Sequence, residues 1–164
     1  MRPSALSHAD FIAAFGPVYE ASPWVAEGVW PAVEAGALDD REALAAAMRT
    51  VVDAAPQDRK LKLIRAHPEL ASRTRMAEAS VKEQSGAGLD QCSADEFAAF
   101  QRFNAAYNDR FGFPFIVAVK GLTRADILAA FEARLANDAE TEFATAMAQI
   151  HKIAGFRLAD LVKE

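Results

Sequence analysis

Apolar residues in this chain recur three and four positions apart over one stretch after another, while sustained alternation of apolar and polar residues is almost absent. A helix turns once in about 3.6 residues and so gathers such positions onto one face, whereas a half-buried strand needs a period of two. The pattern predicts an all-α protein. At 164 residues the chain fits a single domain, 1–164, folded as a compact bundle of about seven to nine helices. A chain of this size buries roughly 70% of the surface its unfolded form exposes, enough for a core without disulfides or metal.

The helix boundaries follow from local chemistry. A first helix is expected from about Ala9 to Ala21, with Ser7 as cap and Phe11, Phe15 and Val18 inward, broken by Ser22-Pro23. Trp24, Val25, Val29 and Trp30 make a short apolar segment that Pro31 ends, and both tryptophans read as packing residues. Asp39 or Asp40 opens a helix toward Ala54 carrying Leu44, Met48, Val51 and Val52. Pro56 precedes the next, which stops near His67-Pro68. A helix from Met76 through Ser85 ends at Gly86 or Gly88. Ser93-Ala94-Asp95-Glu96 has the form of a capping box and starts a helix to about Arg110. Thr123 caps the following helix, and Asn137 or Asp138 opens the last, which Gly155 is expected to bend or interrupt.

Between Arg110 and Thr123 the run FGFPFIVAV, Phe111 to Val119, is apolar yet contains Gly112 and Pro114, which suit a helix interior poorly. It predicts a buried extended segment. Its N–H and C=O groups must find partners, and a ligand pocket is one place where they would be useful.

Charge narrows the function. The formal net charge is −5 and the pI about 5.3, and Arg59, Lys60, Lys62 and Arg65 are spaced as the wet face of one helix, so no nucleic-acid partner is expected. No apolar run approaches the ~20 residues that span a bilayer, so none is expected to enter a membrane. The single Cys92 reads as an incidental thiol. With a Met-Arg-Pro-Ser start lacking a secretory apolar stretch, it points to a reducing, cytoplasmic compartment. The terminal Leu-Val-Lys-Glu differs from a peroxisomal address, which fits a bacterial source.

His8, His67 and His151 form no metal-ligand spacing, so no metal is expected, and no phosphate loop, dinucleotide fingerprint or nucleophile elbow is present. His67 stands apart because it ends an apolar helix directly before Pro68, where an imidazole that titrates near neutrality could move a proton. A helix-end histidine taken alone is more commonly structural. Ser80, Glu83 and Gln84 share a helix face and offer a hydroxyl, a carboxylate and an amide; spacing alone favours a solvated face. From the residues alone, function stops at a helical domain in which a polar pocket is one alternative.

Ordered blocks then add a resemblance. His67-Pro68-Glu69-Leu70, Ser80-Val81-Lys82-Glu83-Gln84 with Ala87-Gly88-Leu89, Asn104 to Tyr107, and Arg110 to Lys120 resemble the signature blocks of the 2-oxo-4-hydroxy-4-carboxy-5-ureidoimidazoline (OHCU) decarboxylase family. The likeness extends to Phe15-Gly16 and Ser22 to Ala26 near the start, and to Arg134-Leu135, Asn137, Lys152 to Ala154 and Arg157-Leu158 near the end. It implies an all-helical, cytoplasmic carboxy-lyase of urate catabolism, homodimeric and free of cofactor. Such an enzyme turns OHCU into (S)-allantoin and CO2, in functional association with urate oxidase and hydroxyisourate hydrolase. It also implies His67 and Glu83 as catalytic residues. Pro68, Ser80, Gln84, Arg157 and the segment Phe115, Ile116, Val117, Ala118 and Val119 would contact substrate. Phe103 stands where many members have leucine, and Gly155-Phe156 interrupts a commonly Ala-Arg-Leu-like stretch, which bears on the aim of Arg157.

Overall fold

The computed structural model describes residues 1–71 and 78–163, and these contain eight α-helices, three short 3₁₀ turns and no strand. The helices are α1 (His8–Phe15), α2 (Trp24–Glu34), α3 (Arg41–Asp53), α4 (Gln57–Ala66), α5 (Glu78–Gly86), α6 (Ala94–Phe111), α7 (Arg124–Leu135) and α8 (Ala139–Leu161). The all-α expectation holds. The chain forms two compact units, Met1–Ala66 with His151–Glu164, and His67–Ile150. Helix α8 supplies its first part to the second unit and its last part to the first.

In the first unit, Ser7 accepts a hydrogen bond from the Asp10 N–H and starts α1, but the helix stops at Phe15, short of the expected Ala21. Pro17 is the reason. It has no N–H to donate to the turn before it, so although Gly16 keeps helical angles, at φ −55° and ψ −39°, Gly16–Val18 tightens into a 3₁₀ turn and Tyr19 is extended. Conversely, α2 runs through Pro31 to Glu34, where the sequence suggested a stop. Proline costs that helix one bond to the preceding turn, yet Val25, Val29 and Val33, four apart, are all buried on one stripe, and packing outweighs the loss. Trp24 and Trp30 do pack, each half-buried: Trp30 stacks on His8 at 4.9 Å, and the Arg59 guanidinium lies 5.1 Å from the Trp24 ring. Gly28 lets α2 approach α3, because a Cβ there would stand 2.9 Å from Val51 Cγ1. The Asp40 carboxylate caps α3 through the Ala43 N–H. On α4, Arg59, Lys62 and Arg65 are exposed and Lys60 half-buried, the wet face expected of them.

In the second unit, both capping boxes form. Ser93 and Glu96 bond reciprocally at the start of α6, as do Thr123 and Asp126 at the start of α7. Gly112, at φ 77°, ends α6 in the left-handed conformation. The expected start of α5 at Met76 lies outside the described residues; the helix ends at Gly86, and Gly88 takes the left-handed turn at φ 78°. Asp138 caps α8 by accepting from the Thr141 N–H, and the helix is continuous through Gly155. A Cβ at Gly155 would meet nothing within 4 Å, so this glycine costs helix propensity and leaves the path of the helix unchanged. Phe115, Phe131, Phe100 and Tyr107 form the core of this unit, with the Phe115 and Phe131 rings stacked at 3.7 Å.

Candidate active site

Pro68 ends α4 by restricting the residue before it, and His67 is thereby turned out of the helix into a buried position, 8% exposed. The backbone that follows is braced from two helices. Gln84 of α5 accepts from the Ala71 N–H at 3.0 Å and donates to the Glu69 carbonyl at 3.4 Å. Asn104 of α6 donates to the Leu70 carbonyl at 3.0 Å. Ala71 is held at φ 55°, a region an L side chain enters at a cost of roughly 1–2 kcal/mol, so these bonds hold a strained loop.

Helix α5 is not solvated all round. Ser80 and Gln84, four apart, are both buried, and Glu83 beside them is half-buried, while Val81 and Lys82 face water. Half of a solvated-face reading thus fails where the candidate residues stand. Gln84 spends one donor and one acceptor on the loop after His67 and keeps one amide hydrogen and one lone pair. Asn104 Oδ1 is buried with no partner among the described residues.

Phe113 to Val119 is the buried, non-helical segment that the sequence predicts; Phe115, Ile116, Ala118 and Val119 are each under a tenth exposed. Pro114 accounts for its departure from helix. Three of its main-chain groups are satisfied: Arg134 Nη1 donates to the Ile116 carbonyl at 2.6 Å, the Ala118 N–H donates to Gln149 Oε1 at 2.9 Å, and the Leu122 N–H donates to the Val119 carbonyl at 3.0 Å. Among the described residues, the N–H and C=O of Val117 have no hydrogen-bond partner. Val117 is half-buried, and main-chain groups left unpaired at such a place are met by water or a ligand.

Arg134 is itself held by Glu142, which is 0% exposed. Glu142 Oε1 accepts from Arg134 Nε at 2.8 Å and from the Tyr107 hydroxyl at 2.6 Å, and Oε2 accepts from Asn137 Nδ2 at 2.8 Å. Burial, with the hydrogen bond to Glu142, holds the Tyr107 phenol well above its ordinary range, so it remains a donor. The guanidinium also lies 4.2 Å from the Phe115 ring.

Arg157 belongs to the first unit. It is 8% exposed, pairs with the buried Glu20 at 2.9 Å, and donates to the Pro17 carbonyl at 3.0 Å. The same unit holds a chain that sequence reading missed. The Tyr19 hydroxyl bonds His151 Nδ1 at 2.7 Å, and His151 Nε2 bonds Asp53 at 2.9 Å. Burial pushes the His151 imidazole below its ordinary value against the pull of Asp53. Glu20, Tyr19 and Asp53 carry no motif, and their partners lie 98 to 137 residues away. Cys92 is half-buried, and burial pushes its thiol up, away from the nucleophilic thiolate.

The second unit therefore combines buried histidine, serine and amide side chains with main-chain groups left over by the fold, the make-up of an all-helical protein that binds a small polar molecule. The chain belongs to the OHCU decarboxylase family, whose model matches residues 4–159. A 2-oxo-4-hydroxy-4-carboxy-5-ureidoimidazoline decarboxylase of Haloferax volcanii is 44% identical over 151 residues, 92% of this chain and 88% of that protein. A uric acid degradation bifunctional protein of Bacillus subtilis is 43% identical over 149 residues, 91% of this chain but 30% of that one. The crystal structure of an (S)-allantoin synthase matches with a TM-score of 0.77 at 34% identity, over 96% of this chain and 51% of that one. Among the described residues, no helix is long and apolar enough to cross a membrane.

Proposed function

We propose that this chain is a carboxy-lyase that decarboxylates OHCU to (S)-allantoin and CO2, a step of urate breakdown. The observation that carries the reading is the burial of His67, Ser80 and Gln84, kept polar at the cost of desolvation, in a member of the family named for that reaction.

The chemistry asks for little more. The substrate carries a carboxylate and a hydroxyl on one ring carbon next to a carbon–nitrogen double bond. As CO2 leaves, its bonding pair forms a carbon–carbon double bond in the ring and the imine nitrogen takes a proton. The hydroxyl then becomes a carbonyl as the neighbouring carbon is protonated. The substrate thus contains its own electron sink, the part a cofactor supplies in most decarboxylations. His67 takes the hydroxyl proton and passes it on. Glu83, with Ser80 and the remaining hydrogen-bonding capacity of Gln84, holds ring and ureido N–H groups. Pro68 packs on the substrate beside His67, and the segment Phe115 to Val119 offers its unpaired main-chain groups. Arg157 binds an anionic or carbonyl oxygen through its planar fork. Holding the ring in one orientation directs the last proton to one face, which sets the S configuration.

The family match runs through both units, which supports their acting as one functional domain. The relative named as a bifunctional protein of uric acid degradation supports an association with other enzymes of that breakdown, and we propose urate oxidase and hydroxyisourate hydrolase as those enzymes. A cytoplasmic homodimer completes the reading.

The test generates the unstable substrate from urate with those two enzymes and follows its ultraviolet decay together with the circular dichroism of the product. The protein is expected to speed decay and give the (S)-allantoin signal. In His67→Ala, with helix content intact, the acceleration should fall about 10²–10⁴-fold. Full turnover to the S product by that variant would remove His67 from the mechanism.

A further inference from the structure

The segment Phe115 to Val119 is apolar, lies outside any helix, and has no sheet neighbour among the described residues to fix its register. Something else must fix it if Val117 is to meet a substrate repeatedly in one geometry. Two side chains do so. Arg134 holds the Ile116 carbonyl, and Gln149 of α8 holds the Ala118 N–H.

Their spacing matters. Bonds to Ile116 and Ala118 hold the residues on both sides of Val117 and leave its own N–H and C=O unspent. The grip is rigid at its Arg134 end, because the guanidinium is fixed at once by Glu142 and by the Phe115 ring. Glu142 in turn is held by Tyr107 and Asn137. Lysine, with a single ammonium, could not bond the carbonyl, pair with Glu142 and lie flat on the ring together.

We infer that Arg134 and Gln149 are positioning residues for substrate binding, acting through the backbone of Ile116 and Ala118 to present the N–H and C=O of Val117. This rests on the decarboxylase reading above, and it assigns a role to side chains that need not touch the substrate. It explains why a buried ion pair is kept at the end of α7, where an apolar replacement of equal volume would cost the fold little.

Gln149 is the better residue to change, since it is half-buried and its loss should leave the core intact. Gln149→Leu removes the acceptor for the Ala118 N–H; Gln149→Glu retains one. Helix content, KM, kcat and the calorimetric Kd for (S)-allantoin would be measured for both variants and the wild type. The expected result for Gln149→Leu is a KM and a Kd each raised about tenfold with kcat within about threefold, as for a lost binding interaction. Gln149→Glu should recover both to within about threefold of wild type. A Gln149→Leu protein with wild-type KM and Kd, whatever its Tm, would show the bond to be structural only and overturn the inference. Failure of the wild type itself to speed substrate decay is a separate outcome: it defeats the decarboxylase reading, and this inference with it.

Discussion

The two ends of α7 carry the same device in different surroundings. At the first residue, Arg124 pairs with Glu96 at 2.9 Å and donates to the Gly88 carbonyl at 2.8 Å. Ten residues on, Arg134 pairs with Glu142 at 2.8 Å and donates to the Ile116 carbonyl. Each arginine ties an irregular segment to a helix through a carboxylate. The side chains of the first pair are 32% and 32% exposed, those of the second 12% and 0%. Water can replace either partner at the exposed end, where Glu96 is also occupied in capping α6. At the buried end it cannot, and there Tyr107 and Asn137 complete the coordination of Glu142. Arg134 also sits where the helix dipole favours a cation, whereas Arg124 sits where the dipole opposes one. Burial therefore decides which of two similar bridges the fold depends on.

Removing one carboxylate is the strongest way to break the comparison. Glu142→Ala leaves Arg134 buried without its counter-charge and Tyr107 without its acceptor, and should cost about 3–5 kcal/mol. Urea denaturation measures it directly. A loss below about 1 kcal/mol would mean that water reaches Arg134 and that the two ends of α7 differ less than their exposures say.

The same contrast separates what the sequence discloses from what it hides. Caps are local, so Ser93 with Glu96, Thr123 with Asp126, and Asp40 could be recognised within four residues. The segment around Pro114 was legible because an apolar run holding glycine and proline has few other ways to be buried. His67 stood out by its place before Pro68. Arg134 and Gln149 carried no comparable sign in the residues themselves: the carbonyl and N–H they grip lie 18 and 31 positions away, and no periodicity marks a side chain that bonds distant backbone. The helix errors have the same origin. Pro17 and Pro31 are both breakers by local rule, yet one ends a helix and the other is carried through, because the buried stripe Val25, Val29 and Val33 exists only once the rest of the unit has packed.

A smaller effect is expected at the exposed end. Gly88→Ala places a Cβ at φ 78° and 2.8 Å from Arg124 Nη1. The left-handed conformation alone costs a non-glycine residue about 1–2 kcal/mol. Arg124 can swing into water, so the strain term should make up nearly all of the loss. Arg124→Ala alone measures the bridge. If it is as stable as the wild type, the arginine at this end adds nothing that water does not supply; a loss of about 3 kcal/mol would make it as important as the buried one.

The smallest effects should appear in an acid titration of stability. Backbone hydrogen bonds from Ser93 and Thr123 hold the Glu96 and Asp126 carboxyls below their ordinary values. A carboxyl lowered by folding stabilises the fold above its unfolded value and loses that contribution as pH falls through the folded one, so this limb lies below the ordinary 4.5 of Glu96 and 3.8 of Asp126. His151 works at higher pH. Its folded value is lowered by burial, so the unfolded chain binds the proton first, and stability declines as pH drops below the ordinary 6.5. For His151 the slope is at most about 1.4 kcal/mol per pH unit. Glu96→Gln should flatten the lower limb and leave the upper one; His151→Gln should remove only the upper. If Glu96→Gln left the lower limb unchanged, the carboxylate at the exposed end of α7 would be a bystander, and the bridge there would be a contact without a measurable share in holding the fold.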